Sequence, residues 1–495
     1  MRPMDARSPA ILGSALVLGV AGDFLLRGGR LGIGFALWAW GALVVYLVLS
    51  RRMRVRFPAD ALPFAALAFI CSALVAVRAS PALTALNVVA TLAAATLLSA
   101  QTRAGGLRRA PLLGYTVSIA RVALHAIAGA FRPLARGLAR LFGNLPTTRS
   151  RSLALLRGAL LTAPALLFFG VLLLAADASF ERVVLELIDI DVLTPLDHLL
   201  AVGVLTLGFA GVFHGRLEDR EGGAADPPAA KSFPLGLVEV GMVVGALDLL
   251  FATFVTVQIP HFFGGADTLG STPGLTAADY ARRGFFELVI VEAMAVPVLL
   301  TGEAIMRGRS SWQVTAFRVL AGINVGLLGA IAASAALRLL LYRSAFGLTE
   351  SRVYAGAVLV WLAAVLVVFV LTVLTGRHER FTYGTIMAGF AVLLVLNMVN
   401  PDALIASTNL ARATRLGPSG VANHMPAFDV AYNAGLSEDA VPTLLNGSGS
   451  LSGRDRFRLL GELEKGQASS ESGGWRTWNL GRVRADRTSI KAEPE

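Results

Sequence analysis

The sequence predicts an all-α protein: a polytopic transmembrane helical bundle of about eleven spans with a small C-terminal extracytoplasmic region. Three observations lead there. The chain has 495 residues, of which 55% are hydrophobic and 16% charged, with a mean hydropathy of +0.65. That is too apolar for a soluble globular protein. The apolar residues come in blocks of about 20, the length that crosses a bilayer core as a helix. The arginines sit in short loops between those blocks and favour alternate loops, as membrane orientation requires. A net charge of +11 therefore reads as membrane topology, and no nucleic-acid partner is expected.

Residues 1–100 form an N-terminal four-span segment, with spans at 9–26, 31–50, 61–77 and 82–100. Arg2 and Arg7 before an apolar run resemble a signal sequence. Asp23 and Arg27 follow without a small-residue cleavage site, so this reads as an uncleaved first span. Cys71 is the sole cysteine, which excludes an intrachain disulfide or a cysteine metal cluster. Lysine occurs only at Lys231, Lys465 and Lys491; the arginine preference fits a GC-rich bacterial genome.

Residues 101–153 are a basic amphipathic cytoplasmic segment. Arg121, His125, Arg132, Arg136 and Arg140 fall on one side of a helical wheel. Such a face suits anionic inner-leaflet lipids at Arg121–Arg140; a helical hairpin packed on the bundle is the alternative. Pro133 breaks or restarts the helix.

Residues 154–400 form a seven-span core, with spans at 154–176, 196–213, 235–260, 285–306, 314–341, 353–375 and 381–399. Arg51, Arg52, Arg54 and Arg56, then Arg216, Arg220 and Lys231, then Arg307 and Arg309, then Arg377 and Arg380 mark the cytoplasmic loops. The N-terminus is then inside, and an odd span count puts residues 401–495 outside, in a bacterial cytoplasmic (inner) membrane. The tail has turn-rich stretches around two short helical patterns, near residues 428–433 and 439–445, and is the one piece able to form a small soluble unit.

Ionisable groups inside spans are costly and are functional candidates by default. Asp248 sits near the middle of the seventh span. Glu287 and Glu292 lie in the eighth, and Arg338 toward the outer end of the ninth. With Arg282, Arg283 and Asn397 they are expected at similar depths in the outer half. A carboxylate–guanidinium network is the cheapest arrangement for them. It serves either to lock helices together or to line a polar mouth open to the outside. Asp189-Ile190-Asp191 is a D-x-D in an acidic outer loop, too little for a metal site, and none is expected. His198 and His261 have no metal-ligand spacing. No P-loop, H-E-x-x-H, G-x-S-x-G or Cys-His pattern occurs, so no cofactor and no catalytic residue are expected.

The stretch Tyr280-Ala281-Arg282-Arg283-Gly284-Phe285-Phe286-Glu287-Leu288 resembles a signature of bacterial multi-pass proteins of domain-of-unknown-function family 4173, near family 4153. Further stretches fit the same family: Tyr342 to Arg352, Asn400-Pro401-Asp402-Ala403-Leu404-Ile405-Ala406 with Asn409 and Arg412, Leu436 to Pro442, and Trp475-Arg476-Thr477-Trp478-Asn479. The similarity spans residues 153–487. It implies membrane location and architecture and carries over no activity. Physically, these motifs gather at the outer ends of spans beside the tail. There Arg282, Arg283 and Glu287 form a binding mouth, or the motifs fold a lid onto the bundle.

The expected function is accordingly a non-enzymatic sensor, assembly or transport-associated component. The alternatives are a membrane enzyme acting on a lipid-linked or envelope substrate through Asp189, Asp191 or Glu287, and a proton- or ion-coupled transporter using Asp248.

Overall fold

The computed structural model describes residues 8–27, 29–53, 59–100, 237–263, 285–307, 309–416, 421–422, 425–426, 428–468 and 474–488, with His198 and a few positions between 202 and 209. The span at 154–176, most of that at 196–213, the Arg121–Arg140 face, Asp189 and Asp191 lie outside the described residues. So do Arg282, Arg283 and Gly284.

The described part is helical apart from one pair of two-residue strands, Val421–Ala422 against Met425–Pro426. In chain order the apolar helices are α1 (Ser8–Leu26), α2 (Ile33–Arg52), α3 (Leu62–Val75), α4 (Pro81–Ser99), α5 (Leu237–Phe263), α6 (Phe285–Met306), α7 (Ser311–Phe346), α8 (Glu350–Phe369) and α9 (Phe381–Val399). The polar helices follow: α10 (Pro401–Leu416), α11 (Val430–Ala434), α12 (Val441–Gly447), α13 (Gly453–Ala468) and α14 (Leu480–Arg487). Among the described residues, 5 helices are long and apolar enough to cross a membrane: α2, α4, α7, α8 with its continuation to Leu374, and α9 with the turn before it. Large side chains such as Leu249, Leu371 and Met398 point outward from the apolar helices, as a hydrocarbon solvent allows.

The helix boundaries follow local chemistry. Ser310 and Gln313 close a capping box at the start of α7. Gly347 ends that helix with φ 79, a left-handed conformation a Cβ would oppose. Asn400 ends α9 at φ 56, and Pro401 opens α10 one residue later. Proline also opens α3 and α4. α8 finishes in a π-turn at Val370–Leu374.

The chain divides into two compact units. In the first, Asp23 of α1 accepts from Arg27 at 2.6 Å and pairs with His198 at 2.8 Å. Trp38 donates to the Leu18 carbonyl at 3.1 Å and meets Phe209 edge-on. His198 is thus a hydrogen-bonding partner of Asp23.

The second unit holds α3 to α14 and the start of α2. α5, α6, α7 and α8 share a core centred on Leu299, Phe317, Leu328, Ile331 and Phe369. α3 and α4 form an antiparallel pair against which α9 packs. The tail is not a free soluble module. It has a core of its own, with Leu410, Phe428, Val441, Leu444, Leu459 and Ala485, but it is bonded to the ends of the apolar helices. With 36 residues, α7 is about 54 Å long, well beyond the roughly 30 Å hydrocarbon core, and the tail covers its C-terminal end. The helices α11 and α12 sit where the two short tail patterns were expected; α10, α13 and α14 surround them.

Candidate functional site

Two polar regions stand out in this unit, and they are built differently. The first is the junction between the tail, hereafter the lid, and three helix turns. Asn409 of α10 reads the main chain just past α7: its Oδ1 accepts from Leu348 N at 2.8 Å and its Nδ2 donates to Leu348 O at 3.0 Å. Asn479 does the same at the α3–α4 turn, donating to Val75 O at 2.9 Å and Arg78 O at 2.8 Å. Its Oδ1 meanwhile accepts from Gly481 N and Arg482 N and so caps α14. Leu480 N and Gly481 N donate to Ala76 O and Val77 O. Asp439 takes the N–H groups of Ala79 and Ser80 at 2.7 and 3.2 Å. Burial pushes its carboxyl above the ordinary carboxylate value, opposed by those two donors and by Arg78. Ile33 N donates to Trp478 O, and Arg30 pairs with Glu438 at 2.7 Å. The α3–α4 turn, the α7–α8 turn and the end of α9 therefore share one face with the lid.

The second region lies inside the apolar helices. Asn324 of α7 donates from Nδ2 to Asp248 Oδ1 of α5 at 2.7 Å. Glu292 of α6 is 1% exposed. A common reference fixes their depths. A Cβ on Gly302 of α6 would run into both Phe317 of α7 and Val240 of α5, so the three helices pack closely at that level. From that level Asn324 is seven residues along α7, Asp248 eight along α5, and Glu292 ten back along antiparallel α6. At 1.5 Å per residue these are about 10, 12 and 15 Å, so Asn324 and Asp248 share a level and Glu292 stands at a neighbouring one, within about 5 Å along the axis. Among the described residues, Asp248 Oδ2, Asn324 Oδ1 and Glu292 Oε1 are buried without a hydrogen-bond partner, and neither acid has an ion-pair partner. Pro297, inside α6, cannot donate to the Ala293 carbonyl, which leaves another oxygen acceptor beside Glu292. Carboxylates sealed in hydrocarbon need a counter-charge, a proton or a cation.

The expected outer-half network is drawn differently by this geometry. Arg338 is buried but lies fourteen residues beyond Asn324 on α7, about 21 Å further along the axis. It does not share the Glu292 layer. Glu287 is in the first turn of α6. Asn397 is not part of that network: it forms a reciprocal amide pair with Asn87 of α4 at 2.9 and 3.0 Å. Its own carbonyl receives Arg78 Nε at 2.7 Å. Depth along a helix fixed Asn397's level, but its lateral neighbour is α4, which apolar length cannot reveal. Glu303 is fully engaged at the far end of α6, with Arg307 at 3.1 Å and His378 at 3.2 Å. Among the described residues no group of three His, Cys, Asp or Glu side chains converges on a metal position. Sequence reasoning missed Asn87, Pro297 and the role of Asn479. A polar residue at the centre of an apolar block was the available signal for Asn87.

The family model that matches, described as a domain of unknown function (DUF4153), covers residues 64–447. The resemblance read from the motifs named family 4173, near family 4153; the model that matches is that of DUF4153. The match begins at Phe64, earlier than the motifs indicated, and ends at Gly447, before the Trp475–Asn479 stretch. No curated protein and no solved structure matches the chain.

Proposed function

The chain belongs to the DUF4153 family, and from that premise we propose a non-enzymatic, transport-associated or sensing membrane component whose working group is Asp248, Asn324 and Glu292. The observation that carries this reading is the layer of two buried acids without an ion-pair partner among the described residues, in helices otherwise packed with apolar side chains. Protonation or cation occupancy of that layer changes its charge, and a change of buried charge shifts helix packing. The wider reading is a multi-pass protein of the bacterial inner membrane with about eleven spans, supported by the 5 membrane-length apolar helices among the described residues. The arginine bias at residues 307–309 and 377–380 supports an inside location for the end opposite the lid, with the lid extracytoplasmic. Arg282, Arg283 and Glu287 at the start of α6 remain the proposed mouth above it, and the Arg121–Arg140 face a proposed contact for anionic lipids. A membrane enzyme working through Asp189, Asp191 or Glu287 is the second reading; among the described residues neither Asp248 nor Glu292 has a nucleophile or base beside it.

Infrared spectroscopy of the purified protein tests the acid layer. A protonated-carboxyl band that diminishes in Asp248→Asn and Glu292→Gln, together with loss of proton or cation flux in liposomes, is the expected result for a transporter. The band change without flux is expected for a sensor. An unchanged spectrum in both variants defeats the reading. Reporters fused at Glu495 and Ser150 test the orientation; the expected outcome is outside and inside, respectively.

A further inference from the structure

We infer a second site, a pocket for a monovalent alkali cation beneath the lid, built on Asp402 with oxygen donors from Ser80, Tyr354 and Asn400. It is independent of the intramembrane acids. Asp402 stands in the first turn of α10, directly after the left-handed Asn400 and Pro401. Its exposure is 0%, an unusual place for a carboxylate. One of its oxygens accepts the Ser437 hydroxyl from the lid. The other, Oδ1, has no hydrogen-bond partner among the described residues.

The surroundings repeat the pattern. Ser80 is also fully buried, and its Oγ, the Tyr354 hydroxyl and Asn400 Oδ1 are buried atoms without a hydrogen-bond partner among the described residues. These atoms come from the α3–α4 turn, the first turn of α8 and the α9–α10 corner, the three places the lid covers. The Tyr354 hydroxyl lies against Ser80, close enough for the two hydroxyls to interact though not in hydrogen-bond geometry, and the charge of Asp402 reaches Tyr354, Glu350, Tyr432 and Asp439. The nearby guanidinium of Arg78 is directed elsewhere, its Nε to Asn397 O and its Nη2 to Met398 O. Elsewhere in the lid junction the amides Asn409, Asn433 and Asn479 are hydrogen-bonded, whereas this corner gathers four buried oxygens without a partner among the described residues.

The donor types select the ligand. Carboxylate, amide carbonyl and hydroxyl oxygens are hard donors, and neither His nor Cys is among them, so soft transition metals are poorly served. No three carboxylates converge among the described residues, so a divalent ion lacks the charge it usually gathers. One carboxylate with neutral oxygens fits sodium or potassium. A cation there joins the lid to α8 and α9, because its donors come from all three.

The test is thermal unfolding of the full-length detergent-solubilised protein in sodium, potassium or N-methyl-D-glucamine chloride at equal ionic strength and pH. One alkali cation is expected to raise Tm over N-methyl-D-glucamine by about 2–4 °C at saturation. Asp402→Asn abolishes that rise, whereas Asp248→Asn and Glu292→Gln retain it, which separates this site from the acid layer. If Asp402→Asn does not fold, Tyr354→Phe and Ser80→Ala replace it; each is expected to move the cation midpoint about ten-fold higher. Equal Tm in all three salts, a full response in Asp402→Asn, or an unmoved midpoint in both hydroxyl variants overturns the inference.

Discussion

The amide contacts of the lid junction and the acid layer within the apolar helices bury polar atoms in opposite ways. At the junction, neutral amides and backbone groups meet in complementary sets: Asn409 on Leu348, Asn479 on Val75 and Arg78, Asn433 on Asn409. Such bonds contribute about 0.5–1.5 kcal/mol each, and leaving one partner buried and alone costs about 1–3 kcal/mol. Inside the helices, Asp248 and Glu292 keep oxygens without a partner among the described residues. The difference teaches which buried groups hold the fold and which keep free valence for a ligand.

The sharpest break in that comparison comes from Asn479→Ala. It removes two bonds to the α3–α4 turn and the cap of α14 together, and about 2–4 kcal/mol of lid docking is expected to go. Limited proteolysis should then cut the stretch around Trp475, and Tm should fall. Retained protection would mean that the Leu480 and Gly481 backbone bonds suffice alone. The amide pair inside the membrane gives a smaller, more diagnostic effect. Asn87→Leu strands Asn397 and is expected to cost about 1–3 kcal/mol, while Asn87→Leu with Asn397→Leu returns close to the parent. Tm measured around that double-mutant cycle checks it; a double variant as unstable as the sum of the singles would deny the pair its isolation. Smaller still is Asp248→Asn. Its amide can keep the contact with Asn324, so stability is expected to move by less than about 1 kcal/mol while flux or proton response is lost. A large fall in Tm there would move Asp248 to the structural side of the comparison.

Much of the helical part was legible because apolar length alone specifies a span: α4, α6 and α9 start and stop within a residue or so of the expected limits. The lid was less so. Its helices α13 and α14 are short and polar, with no membrane-length signal, and α10 is masked by the adjoining α9. The stitching residues were invisible for another reason. Asn479 and its partner Val75 are separated by |i−j|=404, and a neutral amide carries no charge to suggest where its partner lies. Asp248 announced itself as a charge within an apolar block. Its layer with Glu292 did not, because the contact at Gly302 that sets the register between α5, α6 and α7 is a matter of packing. The motif residues Asn409, Asp402 and Asn479 were all flagged by resemblance, and the structure supplies the physical work each does.

The smallest predicted effect concerns Asp439, where two influences compete at the lid junction. Burial, the larger, raises its carboxyl above the ordinary value of 3.8; the N–H groups of Ala79 and Ser80 and the charge of Arg78 pull it down. A raised value means the folded state holds its proton more tightly than the unfolded state. The stabilising contribution is therefore fully present below about pH 3.8 and is lost as pH rises through the folded value. Asp439→Asn cannot titrate, so the Tm difference, parent minus variant, should shrink between about pH 3.5 and about pH 7. Growth of that difference with pH would show that the two N–H donors and Arg78 outweigh burial. The Asp439 carboxylate would then belong with the completed amides, as a group whose charged form holds the lid on.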